Sequence, residues 1–558
     1  GKNSKKKHHS VKGYSGHKHF KDGVHKIPAT RSETSEQDKL DKNGYDYTSR
    51  NHVTHWWDAS QFYGSDAETI KKVRSEYNVN TGKPTGKLMP YGKIAVDEKN
   101  RKLIYDKEAQ LPITGFHDNW WLGLEMIHTL FHLEHNRIID EVLLPQIDDG
   151  KAQKKWKRNG KNRKMVKSEK KICVGLEKES AACANELFEY ARLINSALIA
   201  KIHTIEWTPA LLNHPMLHIA MRGNWFGLRE LIGGDSEKLR GMLPAHLKHV
   251  VSGLVGPKTL DLYSTPFTLT EEFVSVYRMH PLVPEAVNYR SLNTPTKTEA
   301  VPIKDVVFRK SIGHTKNATA KNARNVKGSS LNWMFSFGTS HPGGLMLHNY
   351  PTFMQDFVAE RNTGPRHIKD SVRMDMGAID ILRDRERGVP RYNDFRRALS
   401  LPPIDTFEEL TNNSEDVATL RDIYNDDVEQ LDLLVGSLAE KDRYPGYAFG
   451  NTPFWIFAIM ASRRLMADPF FSDYFTEEVY TKNGLEHVQK TTMADVIVRH
   501  FPELKDQFYE KKKVKVKGKR GSIVKTTKMK DVLKVRNAFR PWRPVYEEVE
   551  ASMNKTSK

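Results

Sequence analysis

Asn119-Trp120-Trp121-Leu122-Gly123-Leu124-Glu125-Met126-Ile127-His128-Thr129-Leu130-Phe131 opens the stretch, running to Leu143, on which the fold class turns. Its apolar residues recur at helical spacing (Trp120, Leu124, Ile127, Phe131) and Pro145 closes the pattern, which predicts a long helix with one apolar stripe. A second helix starts near Ser180 and aligns Leu187, Tyr190, Ile194 and Leu198. Thr452-Pro453 reads as the N-cap and first-turn proline of a third, running through Met460 toward Met466. Residues 416–440 add another amphipathic stretch. Alternating strand patterns are few, and no internal repeat is found. The expected class is mainly α, with one large domain rather than two.

With 558 residues, 38% of them apolar, the chain can bury a large core. The best apolar run, Phe454 to Met460, falls far short of the roughly 18–20 residues of a membrane span. No secretory signal is seen; the chain opens at Gly1, as a processed or partial sequence would. Two cysteines, Cys173 and Cys183, exclude a disulfide scaffold and a multi-cysteine zinc or iron–sulfur centre.

The net charge of +19 is gathered into three tracts. Residues 1–31 carry a net +8, residues 151–171 set eleven basic side chains against Glu169, and residues 511–530 hold ten basic and no acidic ones; the rest of the chain is acidic, at −9. Such runs read as solvated surface segments. Only Trp156 interrupts the charges of the second tract, so a stacking platform for single-stranded nucleic acid is missing. Nucleic acid is thereby disfavoured, and an anionic membrane surface is the partner such charge suits. The organisation expected is a basic, poorly ordered segment over 1–50 and one domain over 51–545. That domain carries a basic insertion at 149–172 and a basic loop at 511–530, and a tail follows at 546–558.

Three short motifs carry chemistry. In Tyr277-Arg278-Met279-His280, helical spacing would set the phenol and the imidazole on one face. A neutral imidazole for iron beside an oxidisable tyrosine is coherent haem chemistry; a packed core pair is the plainer alternative. Asp380, Arg383 and Arg387 fall on one helical face, where the carboxylate could accept the Nδ1 proton of a ligating histidine. An arginine there could pair with a haem propionate, the alternative being a surface ladder of ion pairs. In Thr54-His55-Trp56-Trp57-Asp58-Ala59-Ser60 oxygens alternate along the chain: Thr54, the Trp56 carbonyl, Asp58 and Ser60. That pattern suits a hard cation such as calcium, provided another carboxylate comes from elsewhere.

In this order these segments resemble the haem peroxidase–cyclooxygenase superfamily, and within it the fatty-acid α-dioxygenase branch. The stretches carrying the resemblance are Thr54–Gly64, Leu130–Asn136, Lys201–Trp207, Tyr277–Leu282, Arg383–Arg397, Leu431–Glu440 and Ala461–Asp468. It implies a single helical domain of the animal haem peroxidase type, holding haem b and calcium. By it His280 is the proximal iron ligand, with Asp380 hydrogen-bonded to it and Arg383 beside the haem. Tyr277 is oxidised by peroxide-activated haem to the radical that takes hydrogen from the fatty acid, and molecular oxygen adds to give a 2-hydroperoxy acid. His203, Thr208 and Arg464 hold the substrate carboxylate, while Thr54, Trp56, Asp58 and Ser60 form most of a calcium site.

One physical obstacle stands against that reading. His203 and Thr208 are five residues apart, a poor same-face spacing, and Pro209 disfavours a helical Thr208; they converge only if the helix distorts. The sequence also departs from the family upstream of Thr54, where a distal haem histidine would lie on a helix. That region is polar, its His8, His9, His17, His19 and His25 read as solvent-exposed, and Asp118 stands where many members carry a distal arginine. Two rival functions stay open: another lipid oxygenase or small-reductant peroxidase of the superfamily, and a catalytically impaired scaffold binding anionic surfaces.

Overall fold

The structure is a computed structural model. It describes residues 54, 56–106, 111–117, 120–147, 172–211, 215–226, 270–278, 280–283, 285–290, 298–303, 357–359, 372–443, 450–472 and 474–510, with short strands at 8–12, 24–28, 156–159, 162–165, 515–517, 523–525 and 534–535. Helices dominate, as the sequence predicts, and every sheet among the described residues has two antiparallel strands. No helix among those residues is long and apolar enough to cross a membrane. The chain resolves into two compact units, one of residues 1–55, 268–285 and 343–460, the other of 56–267, 286–342 and 461–558.

In the first unit, Val276, Tyr392, Phe407, Leu420 and Leu431 pack into one core. The 416–440 stretch is not one helix. It divides into Ser414–Tyr424, a 3-10 turn at Val428–Gln430 and Leu433–Ala439. The break falls at Asn425 and Asp426, both left-handed, a conformation their short polar side chains tolerate better than most. Thr452 is not an N-cap, because the helix Asn451–Ala467 begins one residue earlier. Its backbone N–H and its hydroxyl both donate to the buried Glu440 carboxylate.

The second unit is built on the helix Ala181–Ile202, capped by Ser180, whose hydroxyl accepts from Cys183 N. Of its predicted stripe, Leu187, Ile194 and Leu198 are fully buried and Tyr190 is half-buried. The Asn119–Leu143 stretch forms a helix Leu122–Arg137, widens into π turns at Ile138–Leu143 and ends in a 3-10 turn containing Pro145. Gly92 lies against the central helix so closely that a Cβ would sit 2.3 Å from the Ala184 carbonyl oxygen. Its own carbonyl meets His135 Nε2 at 3.2 Å.

The basic tracts are more than loops. Each contains a two-stranded hairpin: His8–Lys12 with Val24–Pro28, Trp156–Asn159 with Asn162–Met165, and Lys515–Lys517 with Ile523–Lys525. No strand is expected in these tracts from the sequence, although Lys513-Val514-Lys515-Val516-Lys517 alternates charged and apolar residues. His8, His9 and His25 fall in the first of these hairpins, while His17, His19 and Asp118 lie outside the described residues. Cys173 and Cys183, left unassigned by the sequence, are joined in a buried disulfide.

Candidate functional site

Within the first unit, Thr270 caps the helix Glu271–Val276, and Tyr277 is its C-cap with φ −94°. His280 then opens a separate 3-10 turn, His280–Leu282. The expectation that Tyr277 and His280 share one α-helical face is therefore corrected. Pro281 disfavours a helical His280, so the chain leaves the helix between them.

What holds the tyrosine is aromatic. Its ring is stacked between Phe273, at 4.9 Å and 15°, and Phe457, at 5.6 Å and 2°. His280 Nδ1 lies 2.7 Å from Oδ2 of Asp380, a fully buried carboxylate. The other oxygen of Asp380 is 3.3 Å from the Arg278 guanidinium. One helical turn on, the buried Asp384 accepts from Ser275 Oγ at 2.6 Å, and burial pushes its carboxyl up to about 6 against the pull of Ser275 and Arg278. The three-residue face predicted on this helix splits, since Asp380 is buried, Arg383 is exposed, and Arg387 is the C-cap paired with Glu271 at 3.0 Å.

Within the second unit, the distortion needed at His203 is present. The helix passes into a π turn at His203–Trp207, and the N–H of Thr208 donates to the His203 carbonyl five residues back. In an i to i+5 turn, residues five apart stack on one side, where a regular α-helix would separate them by about 140°. His203 and the buried Thr208 are thereby brought to one side. The imidazole stacks on Trp207 at 4.8 Å and meets the edge of Trp57 at 5.1 Å, and the Arg464 guanidinium lies over Trp57 at 5.2 Å. Burial first, and the Arg464 charge second, hold His203 down to about 4. At neutral pH it is an uncharged imidazole beside a fixed cation. The Trp57 backbone N–H donates to Asp468 Oδ2, 3.0 Å away, and a cavity of about 720 Å³ borders Trp57, walled by Trp56, Tyr190 and Phe471.

The loop read as a calcium site gives a thinner result. Asp58 Oδ1 accepts from Ser60 N at 3.0 Å and Oδ2 lies 3.9 Å from Arg192. Among the described residues no three histidine, cysteine, aspartate or glutamate side chains converge as a metal centre.

Sequence reasoning assigned no role to several residues that shape these places. Phe273 and Phe457 could have been suspected from an aromatic four residues before Tyr277 and from the apolar helix, but their pairing is tertiary. Glu134, inside a stretch quoted only for its resemblance, is a fully buried carboxylate held by His487, His500 and Arg499.

Comparison with known proteins bears on the family of the chain. Alpha-dioxygenase 1 of Arabidopsis thaliana is 37% identical over 466 residues, 82% of this chain and 63% of its own length. The crystal structure of Oryza sativa fatty acid alpha-dioxygenase superposes with a TM-score of 0.64 at 32% identity, covering 84% of this chain and 67% of that one. A variant of the rice enzyme, crystallised with palmitic acid, gives 0.62 at 32% identity, covering 81% and 64%. The chain thus spans about 63% of the length of the Arabidopsis relative. Residues 2–511 match the family described as animal haem peroxidase, and the chain belongs to that family.

Proposed function

We propose that this protein is a haem-dependent dioxygenase of long-chain fatty acids, forming 2-hydroperoxy acids by way of a radical at Tyr277. The observation that carries the reading is the π turn that brings His203 and Thr208 to one side, in the same unit as an arginine braced on Trp57. A simple peroxidase has no use for a carboxylate anchor. The likeness to alpha-dioxygenases, one of them crystallised with palmitic acid, points the same way.

The donor set suits haem. Asp380 engages Nδ1 of His280, an arrangement in which Nε2 would serve as the iron ligand. When bound, haem would supply the one-electron oxidation that a peroxide triggers. Everything else falls to side chains of this chain. Arg464 grips the substrate carboxylate through its fork, uncharged His203 donates to it, and Thr208 sets the α-carbon next to the anchored head group. Because the α-carbon adjoins the carboxylate, anchoring the head group positions the reacting carbon. Tyr277, as a phenoxyl radical, takes that carbon's hydrogen atom and becomes phenol again; molecular oxygen adds to the carbon radical, and the peroxyl radical so formed takes a hydrogen atom back from the Tyr277 phenol, giving the 2-hydroperoxy acid and restoring the phenoxyl radical. Exposed Arg383 is assigned to a haem propionate. Calcium does not fit as well: the Thr54, Trp56, Asp58 and Ser60 loop brings one carboxylate, half-engaged by Ser60, and no step is routed through it.

Two experiments test this. Protein reconstituted with haem b should show the Soret band of histidine ligation, and His280→Ala should lose it together with most haem retention; an unchanged spectrum would remove the ligand assignment. Arg464→Ala should raise KM for palmitic acid by about tenfold to a hundredfold, from the roughly 1.5–3 kcal/mol of a charge-assisted pair. Oxidation of a small phenol should be spared. Equal loss on both substrates would show that Arg464 supports the fold rather than the substrate.

A further inference from the structure

The π turn at His203–Trp207 departs from regular helix, and turns of this i to i+5 kind are rare, so its surroundings must hold it open. Two charged side chains lie at it, both inside the protein: Lys201 is 2% exposed and Glu206 8%. Lysine and glutamate are almost never buried without partners, and the partners of these two fall in one short segment far along the chain. The Lys201 ammonium donates to the Gln489 carbonyl at 3.0 Å and to the Thr491 carbonyl at 2.6 Å. The Glu206 carboxylate accepts from Met493 N, at 3.1 Å to one oxygen and 3.2 Å to the other.

That segment joins the helices Lys482–Lys490 and Met493–His500. A helix leaves its last carbonyls and its first N–H groups without partners of its own, and carries partial negative charge at the one end and positive at the other. Lys201 meets the carbonyl end of the first helix and Glu206 the N–H end of the second, so each charge faces the dipole that suits it. Burial pushes the Glu206 carboxyl up, while the Lys201 charge and the Met493 N–H pull against it. The junction is a firm point to grip. Gly484 lies so near the central helix that a Cβ would sit 2.7 Å from Ile194 Cδ1, and Trp225 Nε1 donates to Gln489 Oε1 at 3.1 Å.

Lys201 and Glu206 are five residues apart, as are His203 and Thr208. On a regular α-helix either pair would diverge by about 140°; the widened turn narrows both gaps. The second pair is shifted two residues from the first, about 200° round the axis at α-helical spacing. With the first pair on the junction, the second is turned away from it. One distortion therefore serves both pairs, and the grip on one side fixes the arrangement on the other.

We propose that Lys201 and Glu206 are the positioning residues of the carboxylate anchor: by gripping the Gln489–Met493 junction they hold the π turn open and keep His203 and Thr208 together for the substrate head group. The proposal rests on the fatty-acid reading above. Without the grip the turn relaxes toward α-helical register, in which His203 and Thr208 part, and apparent affinity falls with the fraction of chains that keep the turn.

The test is calorimetric titration of the full chain, reconstituted with haem b and without peroxide, at mildly alkaline pH. The two ligands are palmitic acid and 1-hexadecanol, which has the same chain length and no carboxylate. The parent should prefer the acid. Glu206→Ala should weaken acid binding at least about tenfold, on the scale of one charge-assisted hydrogen bond, and leave hexadecanol binding unchanged. Glu206→Gln keeps an oxygen that accepts from Met493 N and should restore most of the preference. Lys201→Met keeps the stem and loses the donor; the same selective loss is expected of it, and it carries the test should Glu206→Ala fail to fold. Equal loss on acid and alcohol would assign both residues to general stability and overturn the proposal. A parental preference retained in Glu206→Ala and Lys201→Met would overturn it too, leaving the function proposed above intact. A parent without preference for the acid would remove the carboxylate anchor, and both readings with it.

Discussion

Tyr277→Phe should abolish oxygen uptake with palmitic acid while leaving haem and fatty-acid binding at parental levels. The ring is held by stacking between Phe273 and Phe457, contacts that phenylalanine makes as well as tyrosine, each worth about 0.5–1.5 kcal/mol beyond its buried area. The substitution thus removes one oxygen and keeps these ring contacts. Phenylalanine forms no comparable radical at accessible potential, so hydrogen abstraction has no agent. Oxygen-electrode traces and the tyrosyl signal in electron paramagnetic resonance, on the same haem-loaded samples, read the two consequences. Oxidation of a small phenolic reductant should continue at whatever rate the parent shows. Parental oxygen uptake in the variant would replace the dioxygenase mechanism with a simple peroxidase.

The sequence was most legible where a single physical rule governs several residues at once. The stripe Leu187, Ile194, Leu198 and its Ser180 cap obey helical periodicity and end chemistry, and the helix forms with them buried. The pairing of His280 with Asp380, a hundred residues apart, was reachable only through resemblance, because periodicity does not report long-range partners. Thr208 is the instructive case. Spacing rules set it against His203, and the objection was sound for an α-helix; the chain answers it by widening one turn, a π distortion that local propensity does not announce. Arg383 and Asp380 show the opposite failure. Three positions apart on one helix, they differ in fate because the neighbouring elements bury one edge of that face and not the other. The hairpins of the basic tracts were missed for another reason: runs of lysine and arginine read as solvated segments, and the short alternation Lys513-Val514-Lys515-Val516-Lys517 was absorbed into that reading.

Glu134→Ala should cost the most stability of any single substitution here, about 3–5 kcal/mol, because it removes the shared anion of a buried cluster and strands its partners. The carboxylate is fully buried on the helix Leu122–Arg137. Its Oε1 accepts from His487 at 2.9 Å and from Arg499, and Oε2 accepts from His500 at 2.8 Å. Three helices are thus pinned through one side chain: its own, Lys482–Lys490 and Met493–His500. Burial alone would raise the carboxyl; the His487 and His500 hydrogen bonds and the Arg499 charge outweigh it and hold the group well below the usual 4.5. A depressed carboxyl adds stability that is fully present above its unfolded value and is lost as pH falls through the folded one. Urea unfolding of the parent and of Glu134→Gln should accordingly differ most at neutral pH and converge progressively below about pH 4.5. Adding Arg499→Met to Glu134→Gln should cost less than the two single losses together, since the second removes a cation the first has already orphaned. Strict additivity, with a pH-independent gap between parent and variant, would mean that Glu134 acts through packing alone and that the charge cluster does not hold these helices together.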